Sequence, residues 1–251
     1  MSTIKVDTIA TRTGSGNITL SNNAVLSGNI QKTGDLTLDV SGDIILDADG
    51  ADVKLSDNGT VYGELTNAAS YLRIKNPIQD QDIEFVGNDG GSAITALRFD
   101  MSDAGRAVFN AGVSLGGNDA AHTLDDYEEG TWTPQLRGGG TNVGTTVLQA
   151  FYTKIGNVVH CEFNIQRNDS ATNNNNMEMT GLPFPHRTIP STVGQAWIDN
   201  TSGDHKCFIY LPSDSSKIYF VKAGANDSYV NMNEYDNGRY VYAAFTYMTD
   251  S

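Results

Sequence analysis

Apolar and polar positions alternate along the first third of the chain in short units, each opened by glycine. Gly16-Asn17-Ile18-Thr19-Leu20, Gly34-Asp35-Leu36-Thr37-Leu38-Asp39, Gly42-Asp43-Ile44-Ile45-Leu46-Asp47 and Gly50-Ala51-Asp52-Val53-Lys54-Leu55 form an imperfect repeat. Apolar residues separated by one position, as at Leu36/Leu38, Ile44/Leu46 and Val53/Leu55, fall on one face of a strand. Leu38, Leu46 and Leu55 lie 8 and 9 residues apart, which leaves room for a strand of about five residues and a tight turn. Glycine, β-branched residues and short polar side chains at the turn positions disfavour a helix. A unit this short cannot bury its own apolar face, so the repeat is stable only where neighbouring units or other chains cover it. The expectation is a slender shaft of intertwined or laterally packed chains, with a monomeric solenoid as the alternative.

The alternation continues less regularly through residues 60–125. Tyr71, Arg73 and Lys75 alternate with Leu72 and Ile74; Ile83, Phe85 and Gly87 form a second stretch, and Leu97/Phe99 a third. Asn88-Asp89-Gly90-Gly91 predicts a hairpin turn. Gly116-Gly117-Asn118-Asp119 and the acidic run Asp125-Asp126-Tyr127-Glu128-Glu129-Gly130 then punctuate the chain, placing a boundary near 116–130 with the acidic side chains read as solvated. Beyond Thr131 the apolar content rises. Trp132, Leu136, Val147, Phe151, Tyr152, Val158, Val159, Phe163 and Ile165 supply bulk for a core, and strands are predicted around 193–199, 205–211, 217–222 and 239–248. Seven or eight strands in about 120 residues fit a β-sandwich or jelly roll. The predicted organisation is all-β: an attachment arm over 1–15, a β-repeat shaft and linking region over 16–125, and a β-sandwich head over 126–251.

Composition narrows the function classes. Twenty-six glycines, 39% hydrophobic residues and 18% charged residues describe an ordered, loop-dense chain. The net charge of −14 opposes nucleic-acid binding, which needs clustered Lys and Arg. Residues 1–125 carry 17 acidic against 8 basic side chains and residues 126–251 carry 13 against 8, so neither half forms a basic surface. The N-terminal pattern is not that of a signal peptide, and no apolar run approaches the roughly 20 residues of a membrane span. Synthesis in the cytoplasm without membrane insertion is the expectation.

Candidate chemistry is sparse. Cys161 is in phase with Val159, Phe163 and Ile165, and Cys207 with Ile209 and Leu211, so both thiols are expected to point inward, whether free, paired or metal-bound. His160 and His205 lie near the two cysteines, but a side chain adjacent in a strand, as His160 is to Cys161, faces the opposite way, which weakens a joint Cys/His cluster. Asp47-Ala48-Asp49-Gly50-Ala51-Asp52 lacks the ligand order and closing Glu of a calcium loop. No Gly-x-Ser-x-Gly elbow, phosphate-binding loop or His-Glu-x-x-His motif is present, and clustered carboxylates alone do not make a glycosidase. The expectation is a protein without catalytic residues, metal or cofactor.

Several segments together resemble bacteriophage tail-fibre proteins, particularly those of marine phages. They are Ser2-Thr3-Ile4-Lys5-Val6-Asp7-Thr8-Ile9, the Gly34-Asp35-Leu36-Thr37-Leu38 type of repeat, Asn88-Asp89-Gly90-Gly91-Ser92, Tyr127-Glu128-Glu129-Gly130-Thr131-Trp132-Thr133-Pro134, Tyr152-Thr153-Lys154-Ile155-Gly156-Asn157 and Gly181-Leu182-Pro183-Phe184-Pro185. The resemblance implies a homotrimer in the virion tail, made in the host cytoplasm and held to tail or baseplate proteins by its N-termini. Its C-terminal domain would contact a bacterial surface glycan or lipopolysaccharide. A structural adaptor or decoration protein without receptor contact is the alternative.

Receptor-binding candidates come from loops. Residues 168–176, with Asn173 and Asn175, are polar without a core-facing pattern. Residues 226–238 combine amides, carboxylates and aromatics, with Tyr229 or Tyr235 as an apolar platform beside Asp236. His186 and Arg187 follow the proline-stiffened 181–185 segment, beneath which Leu182 and Phe184 are expected to pack; the pair is read as structural or simply exposed, with binding of an anionic sugar the other option. Trp132 is read as a core or interchain anchor, with ligand stacking the other option, and Lys154 as solvated.

Overall fold

The computed structural model describes residues 27–170, 174–200, 203–213, 217–224 and 228–250. The arm over 1–15 and the Gly16–Leu20 unit lie outside these residues. The Gly34 and Gly42 units form no ladder within one chain: residues 27–51 contain no strand, and Leu36, Leu38, Ile45 and Leu46 are exposed. The first ladder begins with the next unit.

Strands β1 (Asp52–Asp57), β2 (Thr60–Ala68) and β3 (Tyr71–Lys75) form a three-stranded antiparallel meander. Asn58 and Gly59, both at positive φ, supply the two-residue turn that matches strand twist. A second meander joins β4 (Ile83–Asp89), β5 (Ser92–Asp100) and β6 (Arg106–Phe109). The turn expected at Asn88-Asp89-Gly90-Gly91 closes its first hairpin, where the Asn88 side chain accepts a hydrogen bond from Gly91 N–H at 2.9 Å. The short strands β7 (Val113–Ser114) and β8 (Thr123–Leu124) pair with each other.

A ten-stranded sheet follows, built from β9 (Tyr127–Thr131), β10 (Gln135–Gly138), β11 (Thr141–Asn142), β12 (Thr145–Ile155), β13 (Val158–Arg167), β14 (Met177–Thr180), β15 (Ser191–Ile198), β16 (His205–Leu211), β17 (Lys217–Lys222) and β18 (Tyr240–Met248). Its order is β11-β10-β14-β17-β16-β15-β18-β13-β12-β9, antiparallel throughout. A sandwich was expected to divide its strands between two sheets; here hydrogen bonds join all ten in one. Strand β9 ends this order and β10 is second from its other end, yet the two are separated by only Trp132, Thr133 and Pro134. Such a link spans at most roughly 14 Å, so the sheet curls until its ends approach.

Curling gives one enclosed face. Alternate residues of β13, β15, β16 and β18 point into it, including Val159, Phe163, Ile165, Ile198, Ile209, Val241 and Phe245. Trp132 enters at the seam with rings of Phe163 and Phe245 at 5.8 and 6.3 Å, and its indole N–H donates to Phe151 O at 3.1 Å. It is a core anchor. Each large apolar side chain buried here contributes about 1.5–3 kcal/mol.

The two halves of the chain differ sharply in burial. Among the described residues none before Trp132 is buried, and every buried side chain belongs to Trp132 or to residues after it. Ile45 is 84% exposed, Leu72 78% and Tyr71 70%.

Candidate functional site

The two polar loops proposed from sequence meet at one end of the ten-stranded sheet. Met232 N–H donates to Asn175 O at 3.0 Å, Asn176 bridges to Asn231, and the Asn233 amide donates to the Asn174 side chain at 2.6 Å. Asn237 reaches Ser170 at 3.2 Å. Asn175 is exposed, whereas Asn173 lies outside the described residues.

Arg167, at the end of β13, holds this loop pair from below. Its guanidinium donates to Asp169 Oδ1 at 3.1 Å, to Met232 O at 3.0 Å and to Tyr235 O, all from a buried position. Tyr235 is fully buried beside it, with its hydroxyl donating to Arg239 O at 2.7 Å and accepting from Arg167 N–H at 3.2 Å. Burial raises the Tyr235 hydroxyl pKa above its ordinary value. Tyr235 is thus a structural post, not the exposed platform expected of it, because its ring and hydroxyl are consumed by the fold. Asp236 is half-buried at the same turn, where its carbonyl accepts from Arg239 N–H at 3.4 Å.

His186 requires the same correction. Its ring is buried, with Nδ1 2.7 Å from Arg187 O and Nε2 3.2 Å from Lys217 O, so the imidazole ties the proline segment to β17 and presents nothing to solvent. Arg187 remains partly exposed and pairs with Asp250 at 2.7 Å. Leu182 and Phe184 pack against the core as expected, Phe184 edge-on to Tyr152 at 5.5 Å. Tyr229 is half-buried on a patch with Tyr219 and Tyr210, ring centres at 5.1 and 6.3 Å, beside the Lys217–Glu178 pair at 3.2 Å.

Lys154 differs from expectation, whereas Asp125, Glu128 and Glu129 of the acidic run are exposed as expected. Lys154 is buried, ion-paired with Asp126 and 5.3 Å from the centre of the Phe184 ring. The Tyr152 hydroxyl donates to Glu128, and Tyr127 to Glu129 at 2.8 Å. The Lys154–Asp126 and Tyr152–Glu128 contacts tie β9 and the residue preceding it to β12. Cys161 and Cys207 are free and buried, and burial pushes both thiols up to about 12. No group of three or more metal-binding side chains occurs among the described residues.

A feature missed at the loops lies on the outward face of the sheet, where β13, β18, β15 and β16 run side by side. Register places Asn164 opposite Tyr242, Tyr242 opposite Trp197, and Trp197 opposite Lys206. The adjoining row runs Glu162, Ala244, Gln195, Phe208. The methyl group of Ala244 leaves a low position among the rings of Tyr242, Trp197 and Phe208, and an open groove of about 740 Å³ results. The three rings are 39–43% exposed, and Lys206 Nζ sits 5.6 Å from the centre of the Trp197 ring. Asn164 Oδ1 is shielded from water and accepts no hydrogen bond from the described residues. The sequence signal was available: with Ala196 and Ile198 inward, Trp197 must face out.

No helix among the described residues is long and apolar enough to cross a membrane. In comparisons with known proteins, no family model, curated protein or solved structure matches this chain.

Proposed function

We propose that the chain is the protomer of a homotrimeric virion tail fibre, whose N-terminal β-repeats form an elongated shaft and whose C-terminal module attaches to saccharides on the bacterial surface. One observation carries this reading: no described residue before Trp132 is buried, although that stretch includes Leu36, Leu38, Ile45, Leu46, Leu72 and Phe85 on its surface. Large apolar side chains left exposed in such number call for cover by a partner surface. The units at Gly34 and Gly42 have no ladder partner of their own, so copies of the same repeat offer both the missing hydrogen bonds and the missing apolar cover. The ten-stranded module, by contrast, has its own core and needs no such cover to fold.

Three modest sites on a common support engage repeated surface groups more strongly than one. The N-terminal arm would join the fibre to tail or baseplate proteins, placing the protein in the virion after synthesis in the host cytoplasm. A second reading, a tail or capsid adaptor that contacts only virion proteins, draws support from Tyr127, Phe151 and Val158, which are exposed on the module itself. Imaging of intact particles separates the two. A distal, freely exposed C-terminal module with adhesion of the purified protein to susceptible cells supports attachment; a module covered on all sides by other virion proteins supports the adaptor.

A further inference from the structure

We infer that the outward groove around Ala244 is a binding site for a short neutral oligosaccharide, lying across β13, β18, β15 and β16. The inference rests on the reading of the C-terminal module as an attachment domain and locates its ligand away from the loops.

The chemistry of the groove is that of a sugar site. Trp197, Tyr242 and Phe208 come from three different strands and expose their rings at one place. The C–H faces of a pyranose ring carry slight positive charge, which an aromatic face attracts through its negative quadrupole. Hydroxyl groups at the edge of the same ring need donors and acceptors. Glu162 supplies a carboxylate, and Gln195 and Gln149 supply amides. Sheet backbone holds every one of these residues, so little ordering is required on binding.

Size and charge select the ligand further. The groove crosses three interstrand spacings, about 14 Å, and its volume of about 740 Å³ suits a ligand larger than one sugar ring. Glu162 has no cationic partner among the described residues, whereas Lys206 is already engaged over Trp197. An uncompensated carboxylate on a chain of net charge −14 favours a hydroxyl-rich neutral ligand over an acidic one. A buried contact between protein copies fits less well, since it would enclose the exposed Glu162 carboxylate, which has no cationic partner among the described residues.

The test uses the full-length protein on an array of neutral hexose and N-acetylhexosamine oligosaccharides, with uronic-acid-containing oligosaccharides as the contrast, followed by titration calorimetry of bound sugars. Binding of neutral sugars, weakened roughly tenfold or more by Trp197→Ala, is expected. Glu162→Gln and Gln195→Ala, at exposed positions of the same face, repeat the test if Trp197→Ala lowers the melting temperature. No sugar bound, acidic sugars preferred, or affinity unchanged in all three variants overturns the inference. Loss of oligomeric mass in Trp197→Ala also overturns it, by making the groove a contact between copies. Adhesion to susceptible cells is measured in parallel: variants that adhere like the wild type sink the groove and leave the attachment reading standing. Sugar binding that depends on Trp197, in a protein that does not adhere, supports the groove and sinks attachment.

Discussion

Replacing Tyr235 with Phe separates a structural post from a ligand platform. The ring stays in place, so the substitution removes only the hydroxyl that donates to Arg239 O at 2.7 Å and accepts from Arg167 N–H at 3.2 Å. Arg167 N–H keeps a second acceptor, Arg239 O at 3.0 Å, so neither backbone group is left wholly unpaired. The expected cost is therefore that of one buried hydrogen bond, about 1–2 kcal/mol, which lowers the melting temperature by roughly 4–10 °C for a module of this size. Tyr235→Ala adds a cavity and opens the Arg167 guanidinium to solvent, raising the cost to about 3–5 kcal/mol. Thermal unfolding followed by circular dichroism, at one protomer concentration for all variants, measures both. Adhesion of folded Tyr235→Phe should equal that of the wild type. A variant that melts like the wild type but no longer adheres would refute the structural assignment.

Other expectations are equally direct. Cys161 and Cys207, with thiols pushed up to about 12 by burial, stay protonated at pH 8 and should resist alkylation in the native protein, yet both should label in denaturant; rapid native labelling would contradict their burial. Gly194→Ala places a Cβ 2.4 Å from Phe245 Cβ and 2.6 Å from Ala244 O, so a loss of about 1–3 kcal/mol is expected, and an unchanged denaturation midpoint would argue against the β15–β18 register. Burial acts to raise the Glu234 pKa, but the Lys222 ammonium at 2.7 Å and Asn231 N–H at 3.1 Å outweigh it and hold the carboxyl below its ordinary 4.5. Its contribution is present above pH 4.5 and lost as pH falls through the folded value, so Glu234→Gln should flatten the acid limb of the stability curve; an identical limb would remove Glu234 from the account.

Strand period carried much of the fold. The stretches expected at 193–199, 205–211, 217–222 and 239–248 correspond to β15, β16, β17 and β18, and the phases of both cysteines are inward as expected. Strand β12 was harder because a bulge between Val147 and Gln149 reverses its parity. Val147 pairs with inward-facing Ile165 yet is itself 37% exposed, whereas Phe151, four residues on, pairs with outward-facing Glu162, and Lys154 turns in to meet Asp126. Sequence alternation alone assigns Val147 and Phe151 to one face. The burial of His186 and Tyr235 depends on partners far along the chain, Lys217 for one and Arg167 for the other, which local polarity cannot reveal. The groove was half legible: outward Trp197 and Tyr242 follow from parity, but their neighbours Glu162 and Asn164 are brought in by the pairing of β18 between β13 and β15.

In the proposed fibre, other copies of the same chain complete the residues before Trp132. Native mass measurement of the full-length protein across a dilution series tests it most directly. A species of about 81 kDa, three times the 27.0 kDa protomer, that persists on dilution is expected. A 27.0 kDa monomer at every concentration would contradict it.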